Sequence, residues 1–272
     1  MELHYREYGS YRAQRPTLVL LHGLLGSSVN WHGIARRLER HWHLLVPDLR
    51  NHGRSPHAEP MDYPEMAADL LAFLDRQGLD DAVWVGHSMG GKAAMWLALR
   101  WPERAAGLVV VDIAPVPYRH GFDTILTAME AVDLAAIGSR RQAEGVLARY
   151  LDDPGLRQYL LQNLALENGR WRWRVDLQAL RRGMGAITGF EPPADSSGYP
   201  GPALFLYGSE SDYVTAAQRP RILELFPLAR LRMIAGAGHW LYAEQPEAFV
   251  AALESFLRSA VGGRPRSPAD DG

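Results

Sequence analysis

The segment VWVGHSMGGKAAMW, residues 83–96, places a serine where a sharp turn of the chain is expected. Gly86, Ser88 and Gly90 fit the pattern Gly-x-Ser-x-Gly, with an apolar run before it and a helical pattern after it. At such a turn from strand to helix the serine backbone is strained, and its hydroxyl projects beyond the edge of the sheet. A turn that served only close packing would not require serine at the strained position. We therefore predict that Ser88 is a nucleophile.

A serine hydroxyl attacks poorly at neutral pH until a base removes its proton. The segment AGAGHW, residues 235–240, places His239 in a loop of small residues between the last apolar run and the last helical pattern. The other histidines lie in surface or packing positions, or in loops without the position that a base needs. His239 is the predicted base.

Two backbone N–H groups are needed to bind the oxyanion that forms during attack on an ester carbonyl. One belongs to the residue after the nucleophile, Met89, at the start of a helix whose dipole adds positive potential. The other is expected in the loop LHGLLG, residues 21–26, which follows an apolar run. Leu24 is the candidate donor, and His22 is expected to brace the loop without ionising.

Short β-rich runs alternate with amphipathic helical patterns along most of the chain, and these elements must position the loops. The runs are continuous in Val, Leu and Ile, which is typical of strands covered on both faces in a parallel sheet. They lie at residues 17–23, 43–48, 82–87, 107–113, 203–208 and 230–236. The opening segment LHYREY alternates and is expected to form an antiparallel edge strand. The sequence predicts an α/β fold, with a mostly parallel sheet flanked by helices.

The series of strands is interrupted between Ile113 and Ala203. Helical patterns without a buried strand fill this stretch, and a structureless loop of that length is implausible in a compact domain. We predict a helical cap, residues 114–202, inserted after the sixth strand. The core of a single domain would then comprise residues 1–113 and 203–261, followed by a flexible tail at residues 262–272.

Composition narrows the classes of function. The 272 residues carry a formal net charge of -2, which gives no reason to expect nucleic acid or an anionic membrane as a partner. The absence of cysteine excludes disulfides, thiolate zinc sites and a cysteine nucleophile. No run approaches the ~18 to 20 apolar residues of a membrane span, and the first residues lack the apolar core of a signal peptide. A cytoplasmic protein with no membrane span and no bound metal is expected.

The strands, the serine turn, the predicted cap and the histidine loop together resemble the α/β-hydrolase superfamily over almost the full length. Segments such as DLRNHGRSPH, GHSMGGKAAM, VVDIAPVPY and IAGAGHW are similar to the YbfF/ABHD11 esterase group within it. The resemblance implies hydrolysis of carboxylic esters and acyl-CoA thioesters, a helical cap, and no metal or organic cofactor.

The resemblance leaves two positions open for the acid of a catalytic triad. In most α/β-hydrolases the acid follows the strand after the cap, in a loop like Gly-x-x-Asp; counting from Gly208 puts Ser211 there, with Asp212 one residue later. In the narrower group the acid ends the strand before the cap, where this chain has Asp112. Either carboxylate could orient His239 and stabilise its imidazolium. Asp112 is preferred, and Asp212 is the alternative.

Aromatic residues near the motif loops and in the cap are candidates for the walls of an acyl pocket, although such residues often serve packing alone. The candidates are Trp31, Tyr118, Phe122, Trp171, Trp173 and Trp240.

These residues predict a serine carboxylesterase or thioesterase that acts on a small-molecule acyl ester or thioester through an acyl-enzyme. The alternative is C–C bond hydrolysis or a lyase reaction with the same triad, since one fold hosts many chemistries. A receptor or scaffold without catalysis is disfavoured, because it would be expected to lose a triad residue.

Overall fold

The computed structural model describes residues 1–12, 15–119 and 122–261, so the tail predicted at residues 262–272 lies outside the described residues. Seven strands form one sheet in the order β1-β3-β2-β4-β5-β8-β9, and β6 and β7 form a separate hairpin. The strands are β1 (Tyr5–Tyr8), β2 (Leu18–Leu21), β3 (Leu44–Pro47), β4 (Ala82–His87), β5 (Ala105–Val111), β6 (Leu164–Glu167), β7 (Arg170–Trp173), β8 (Ala203–Gly208) and β9 (Ala229–Ile234).

The sheet is parallel except at one edge, where β1 pairs antiparallel with β3. Strands β2, β3, β4 and β5 are buried along their whole length, as their continuous apolar sequences require. The predictions of a mostly parallel α/β sheet and of an antiparallel edge strand are confirmed.

The α-helices of the described residues lie on the two faces of this sheet or in the stretch between β5 and β8. They are α1 (His32–Leu38), α2 (Tyr63–Arg76), α3 (Met89–Arg100), α4 (Phe122–Glu130), α5 (Arg140–Leu147), α6 (Pro154–Leu161), α7 (Leu177–Thr188), α8 (Arg219–Leu225), α9 (Leu241–Glu244) and α10 (Pro246–Phe256). One apolar core packs α2 and α3 on the sheet, and a second core packs α1 and α10 on the opposite face. In the described part of the chain, no helix is long and apolar enough to cross a bilayer.

The long insertion follows β5, which is the fifth strand in chain order and not the sixth as predicted. It contains helices α4 to α7, but it is not purely helical. The helical patterns predicted for this stretch fail at the segment NLALE, residues 163–167, where Leu164–Glu167 form strand β6 and pair with β7. The turn between them is Asn168-Gly169, and both residues have positive φ, at 51° and 76°. Asn-Gly between two strands is a strong hairpin signal, so this element was readable from the sequence.

Candidate active site

Ser88 lies at the junction of β4 and α3 with φ 51° and ψ -118°, a strained conformation for a residue with a side chain. Its backbone N–H donates to the carbonyl of Val111 at 3.0 Å. A Cβ atom on Gly86 would lie 2.3 Å from the carbonyl oxygen of Gly90, and one on Gly90 would lie 2.5 Å from that of His22. Only glycine fits at these two positions, so the Gly-x-Ser-x-Gly pattern is a consequence of close backbone packing.

Asp112 follows β5 directly, has φ 54° and exposes none of its surface. Its Oδ2 atom accepts a hydrogen bond from Nδ1 of His239 at 2.7 Å, and its Oδ1 atom accepts one from the backbone N–H of Gly208 at 3.1 Å. His239 lies between β9 and α9, with one fifth of its side chain exposed. Because Nδ1 donates to the carboxylate, Nε2 of the neutral imidazole is the nitrogen that can take up a proton.

Ser211 occupies the place where most members of the superfamily carry the acid. Its hydroxyl donates to Oδ2 of Asp112 and accepts the backbone N–H of Tyr213 at 3.3 Å. Asp212 is exposed on the same loop. The structure therefore brings Asp112 to His239, and Ser211 supports that carboxylate.

Two neighbours fix the position of His239, one through its backbone carbonyl and one by stacking on its ring. Nε2–H of His87 donates to the carbonyl of His239 at 2.9 Å, and the two ring centroids are 4.5 Å apart. Burial lowers the pKa of His87 well below its usual range, so this neighbour stays neutral. The ring of Tyr213 stacks on His239 with centroids 4.0 Å apart.

Two buried histidines brace the loop that carries Leu24. Nε2 of His22 accepts the backbone N–H of Leu49 at 3.0 Å, and Nε2 of His52 accepts that of Leu25 at 3.1 Å. Burial lowers the pKa of both rings, that of His52 to about 3. Both imidazoles are therefore neutral, and their hydrogen bonds fix the conformation of the loop.

A small cavity, with a volume of about 20 Å³, lies beside Ser88. Its walls are Leu24, Tyr63, Ser88, Met89, Lys92, Ile113, Tyr118, Phe122, Ile187, Thr188 and Tyr213. Four residues that we expected at the site, Leu24, Met89, Tyr118 and Phe122, are among them. In the described ranges, no three His, Asp or Glu side chains are grouped so that they would hold a metal ion.

Four tryptophans proposed as pocket walls, Trp31, Trp171, Trp173 and Trp240, do not line this cavity. Trp240 nevertheless lies beside the site, because its ring contacts that of His239 with centroids 5.9 Å apart. Trp31 is fully buried in the core on the opposite face of the sheet, where it stacks on Tyr242 with ring centroids 4.4 Å apart. Trp173 is buried within the insertion and donates from Nε1 to the carbonyl of Met129 at 3.1 Å. Trp31 and Trp173 therefore serve packing.

The pattern-based prediction missed Tyr63, Tyr213 and the role of Ser211. For Lys92 the sequence favoured a surface or cap contact over an approach to an acyl or phosphate group, and its Nζ does donate to carbonyls of the insertion. Lys92 is one helical turn after Ser88, and Tyr213 is two residues after Ser211, so sequence distance could have found both. Tyr63 opens α2, and nothing in its local sequence distinguishes it from a packing residue.

A sequence model of the alpha/beta hydrolase family matches residues 18–252. This chain belongs to the α/β-hydrolase family. The hydrolase is 42% identical to the sn-1-specific diacylglycerol lipase ABHD11 of Xenopus laevis over 253 residues, covering 90% of this chain and 80% of the relative. It is 41% identical to esterase YbfF of Escherichia coli, covering 88% and 92%. These matches place it in the YbfF/ABHD11 group.

Among solved structures, a marine microorganism esterase superposes on the hydrolase with a TM-score of 0.90 at 38% identity, covering 94% of this chain and 99% of the other. Fold and length therefore agree over nearly the whole molecule.

Proposed function

We propose that this α/β-hydrolase is a serine ester hydrolase in which Ser88, His239 and Asp112 form the triad and the amides of Leu24 and Met89 bind the oxyanion. The observation that carries the proposal is the 2.7 Å contact between Asp112 and His239, next to a serine in the strained geometry of a nucleophile elbow. The names of the relatives, esterase and diacylglycerol lipase, support ester hydrolysis as the reaction.

Catalysis would proceed by acyl transfer in two steps. Nε2 of His239 takes the hydroxyl proton while Oγ of Ser88 attacks the ester carbonyl, and the carboxylate of Asp112 stabilises the imidazolium. The same proton passes to the leaving alcohol when the C–O bond breaks. Water then attacks the acyl-enzyme with His239 as the base, and the acid is released.

The insertion, residues 114–202, would act as a cap over the site. Tyr159 of α6 donates its hydroxyl to the carbonyl of Leu24 at 2.9 Å, and Lys92 donates to the carbonyls that end α7. Ligands of open α/β sheets bind at the carboxyl ends of the strands, beside these contacts. The cap would therefore determine which acyl groups enter.

Replacement of the nucleophile tests the proposal. Ser88→Ala removes one hydroxyl and no core volume, so turnover of p-nitrophenyl butyrate should fall roughly 10³ to 10⁶-fold in a folded protein. Ser10→Ala, at an exposed position, is the matched control and should retain full activity. A fluorophosphonate probe should label the native protein and the control but not Ser88→Ala. Retention of more than about a tenth of the activity in Ser88→Ala would refute the assignment.

The same acyl-enzyme would serve thioesters, because a thiolate leaves more readily than an alkoxide. We include acyl thioesters in the proposed substrate range on the strength of the family resemblance. Butyryl-CoA and p-nitrophenyl butyrate share one acyl group, so the ratio of their kcat/KM values isolates the leaving group. Turnover of the ester without turnover of butyryl-CoA would limit the enzyme to oxygen esters.

A further inference from the structure

Lys92 is the only lysine in the sequence, and it lies one helical turn after the nucleophile. Its backbone N–H donates to the carbonyl of Ser88 at 3.0 Å, and its side chain forms part of the same cavity wall. The residue is 2% exposed. A buried ammonium is costly unless its environment compensates the charge, so its surroundings indicate what it binds.

Among the described residues, two carbonyl groups accept hydrogen bonds from its three N–H donors. Nζ donates to the carbonyl of Thr188 at 2.9 Å and to that of Gly189 at 2.7 Å, at the end of α7. The rings of Tyr118 and Tyr63 lie 4.9 Å and 5.9 Å from Nζ. An ammonium has three donors, so these two bonds leave one for a ligand.

The groups around Lys92 compensate only part of the positive charge of its ammonium. A helix C-terminus offers the equivalent of roughly half a negative charge, and no carboxylate among the described residues forms an ion pair with Lys92. The phenols of Tyr63 and Tyr118 are the titratable groups that face it. Burial lowers the pKa of Lys92 to about 7. The other walls are mostly apolar, among them Leu24, Ile113 and Phe122, so that Lys92 carries the one ammonium or guanidinium among the described residues of the wall.

We propose that Lys92 binds a carboxylate on the acyl part of the substrate, so that half-esters of short dicarboxylic acids are preferred over esters of simple fatty acids. This inference rests on the proposed reaction at Ser88. Ser88 and Lys92 both line the cavity, and the side chains of a helix lean toward its N-terminus, where Ser88 lies. A short linker between the ester carbonyl and the carboxylate would therefore let the two groups reach both residues.

Two esters with the same acyl length test the proposal. Mono-p-nitrophenyl glutarate carries a terminal carboxylate, and p-nitrophenyl valerate does not. At pH 6.5 the native enzyme should hydrolyse the glutarate ester with the higher kcat/KM. Lys92→Met keeps the length of the side chain and should lower kcat/KM for the glutarate ester roughly 10- to 100-fold more than for the valerate ester, mainly through KM.

Arg100→Met is the matched control, because it removes a cation from the same helix that pairs with Asp195 at the surface, 3.0 Å away. It should change kcat/KM for neither ester. Equal losses on both esters in Lys92→Met would show that Lys92 only clamps the end of α7, and would overturn the proposal. A preference of the native enzyme for the valerate ester would overturn it as well.

Binding of glutarate itself gives a readout that does not depend on catalysis. Glutarate should raise the Tm of Ser88→Ala but not that of a Ser88→Ala, Lys92→Met double variant. If Lys92→Met does not fold, Lys92→Arg replaces it, because it keeps the charge and should keep the preference for the glutarate ester. Stabilisation by glutarate in a protein that turns over no ester would contradict the proposed reaction and leave the carboxylate site standing. Absence of stabilisation in Ser88→Ala would contradict the site.

Discussion

At the scale of single residues, the site depends on backbone strain at two strand ends. Ser88 and Asp112 follow the adjacent parallel strands β4 and β5, and both have positive φ, at 51° and 54°. Non-glycine residues rarely adopt this region unless surrounding contacts enforce it. Here the backbone N–H of Ser88 bonds to Val111, and that of Asp112 bonds to Leu206. The strands thus present the proposed nucleophile and a carboxylate at their carboxyl ends.

The triad acid can be tested at this scale. Asparagine keeps the size of aspartate but does not stabilise the imidazolium of His239, and it favours the wrong tautomer. Asp112→Asn should therefore lower kcat for p-nitrophenyl acetate roughly 10⁴-fold, as in a serine protease. Asp212→Asn, in an exposed residue one position from Ser211, should lower it less than about tenfold. Circular dichroism checks that both variants are folded.

If Asp212→Asn lost more activity than Asp112→Asn, the triad acid would be Asp212, next to the position that most of the superfamily uses. Similar intermediate losses would mean that the two carboxylates share the role, and the double variant would then lose more than either single one.

At the scale of elements, the insertion supplies one side of the cavity through the start of α4 and the end of α7. Phe122 begins α4 and lines the cavity, whereas Trp171 lies on β7, away from it. Position on the element, and not aromatic character, determines which of the two residues lines the cavity.

Truncation of Phe122 should therefore change the preference for acyl length. Phe122→Ala enlarges the cavity and should shift the best p-nitrophenyl ester toward longer chains, with each accommodated methylene worth about 0.8 kcal/mol at most. Turnover of the acetate ester should change less than threefold, by roughly the effect of a fraction of one methylene. Trp171→Ala is the control and should leave the profile of acyl lengths unchanged. A shift in Trp171→Ala alone would mean that the acyl chain binds under the hairpin.

The elements also show what the sequence could reveal. Core strands such as β4 were predictable to the residue because burial on both faces leaves a continuous apolar run. The loops of Leu24, Ser88 and Asp112 were predictable because each follows such a strand. Trp31 was misplaced, since its face of the sheet depends on how the chain crosses between layers. Tyr63 was missed for a similar reason: only packing of α2 against the insertion, where its hydroxyl donates to Ile187 at 2.5 Å, brings it to the cavity.

At the scale of the whole molecule, several buried titratable groups are held neutral, which links stability to pH. Burial lowers the pKa of His22, His52 and His87, so the unfolded chain binds more protons than the folded one below about pH 6.5. Stability from these rings is present above that pH and is lost as the pH falls. Burial likewise lowers the pKa of Lys92 to about 7, against about 10.4 in an unfolded chain.

Lys92 therefore adds a second pH range, or limb, in which stability changes with pH; the first is the acid range of the buried histidines. Between about pH 7 and pH 10 the unfolded chain carries the extra proton, so the free energy of unfolding should rise with pH, by about 2 kcal/mol from pH 7 to pH 9. The limb ends near pH 10, because burial raises the pKa of Tyr63 and Tyr118 and ionisation of these phenols then favours the unfolded chain. Urea unfolding at pH 5, 7 and 9 measures both limbs.

Lys92→Met separates the contribution of Lys92 to the pH dependence of stability from that of the buried histidines. The variant should lose the rise between pH 7 and pH 9, while the fall in stability from pH 7 to pH 5 remains, because the three buried histidines are unchanged. The retained acid limb shows that the variant still folds around the same core. If native protein and variant gained the same stability from pH 7 to pH 9, Lys92 would carry its proton in the folded state up to high pH. Its cation would then be fully compensated by α7 and the tyrosine rings, and the cavity would present no unpaired charge to a substrate carboxylate.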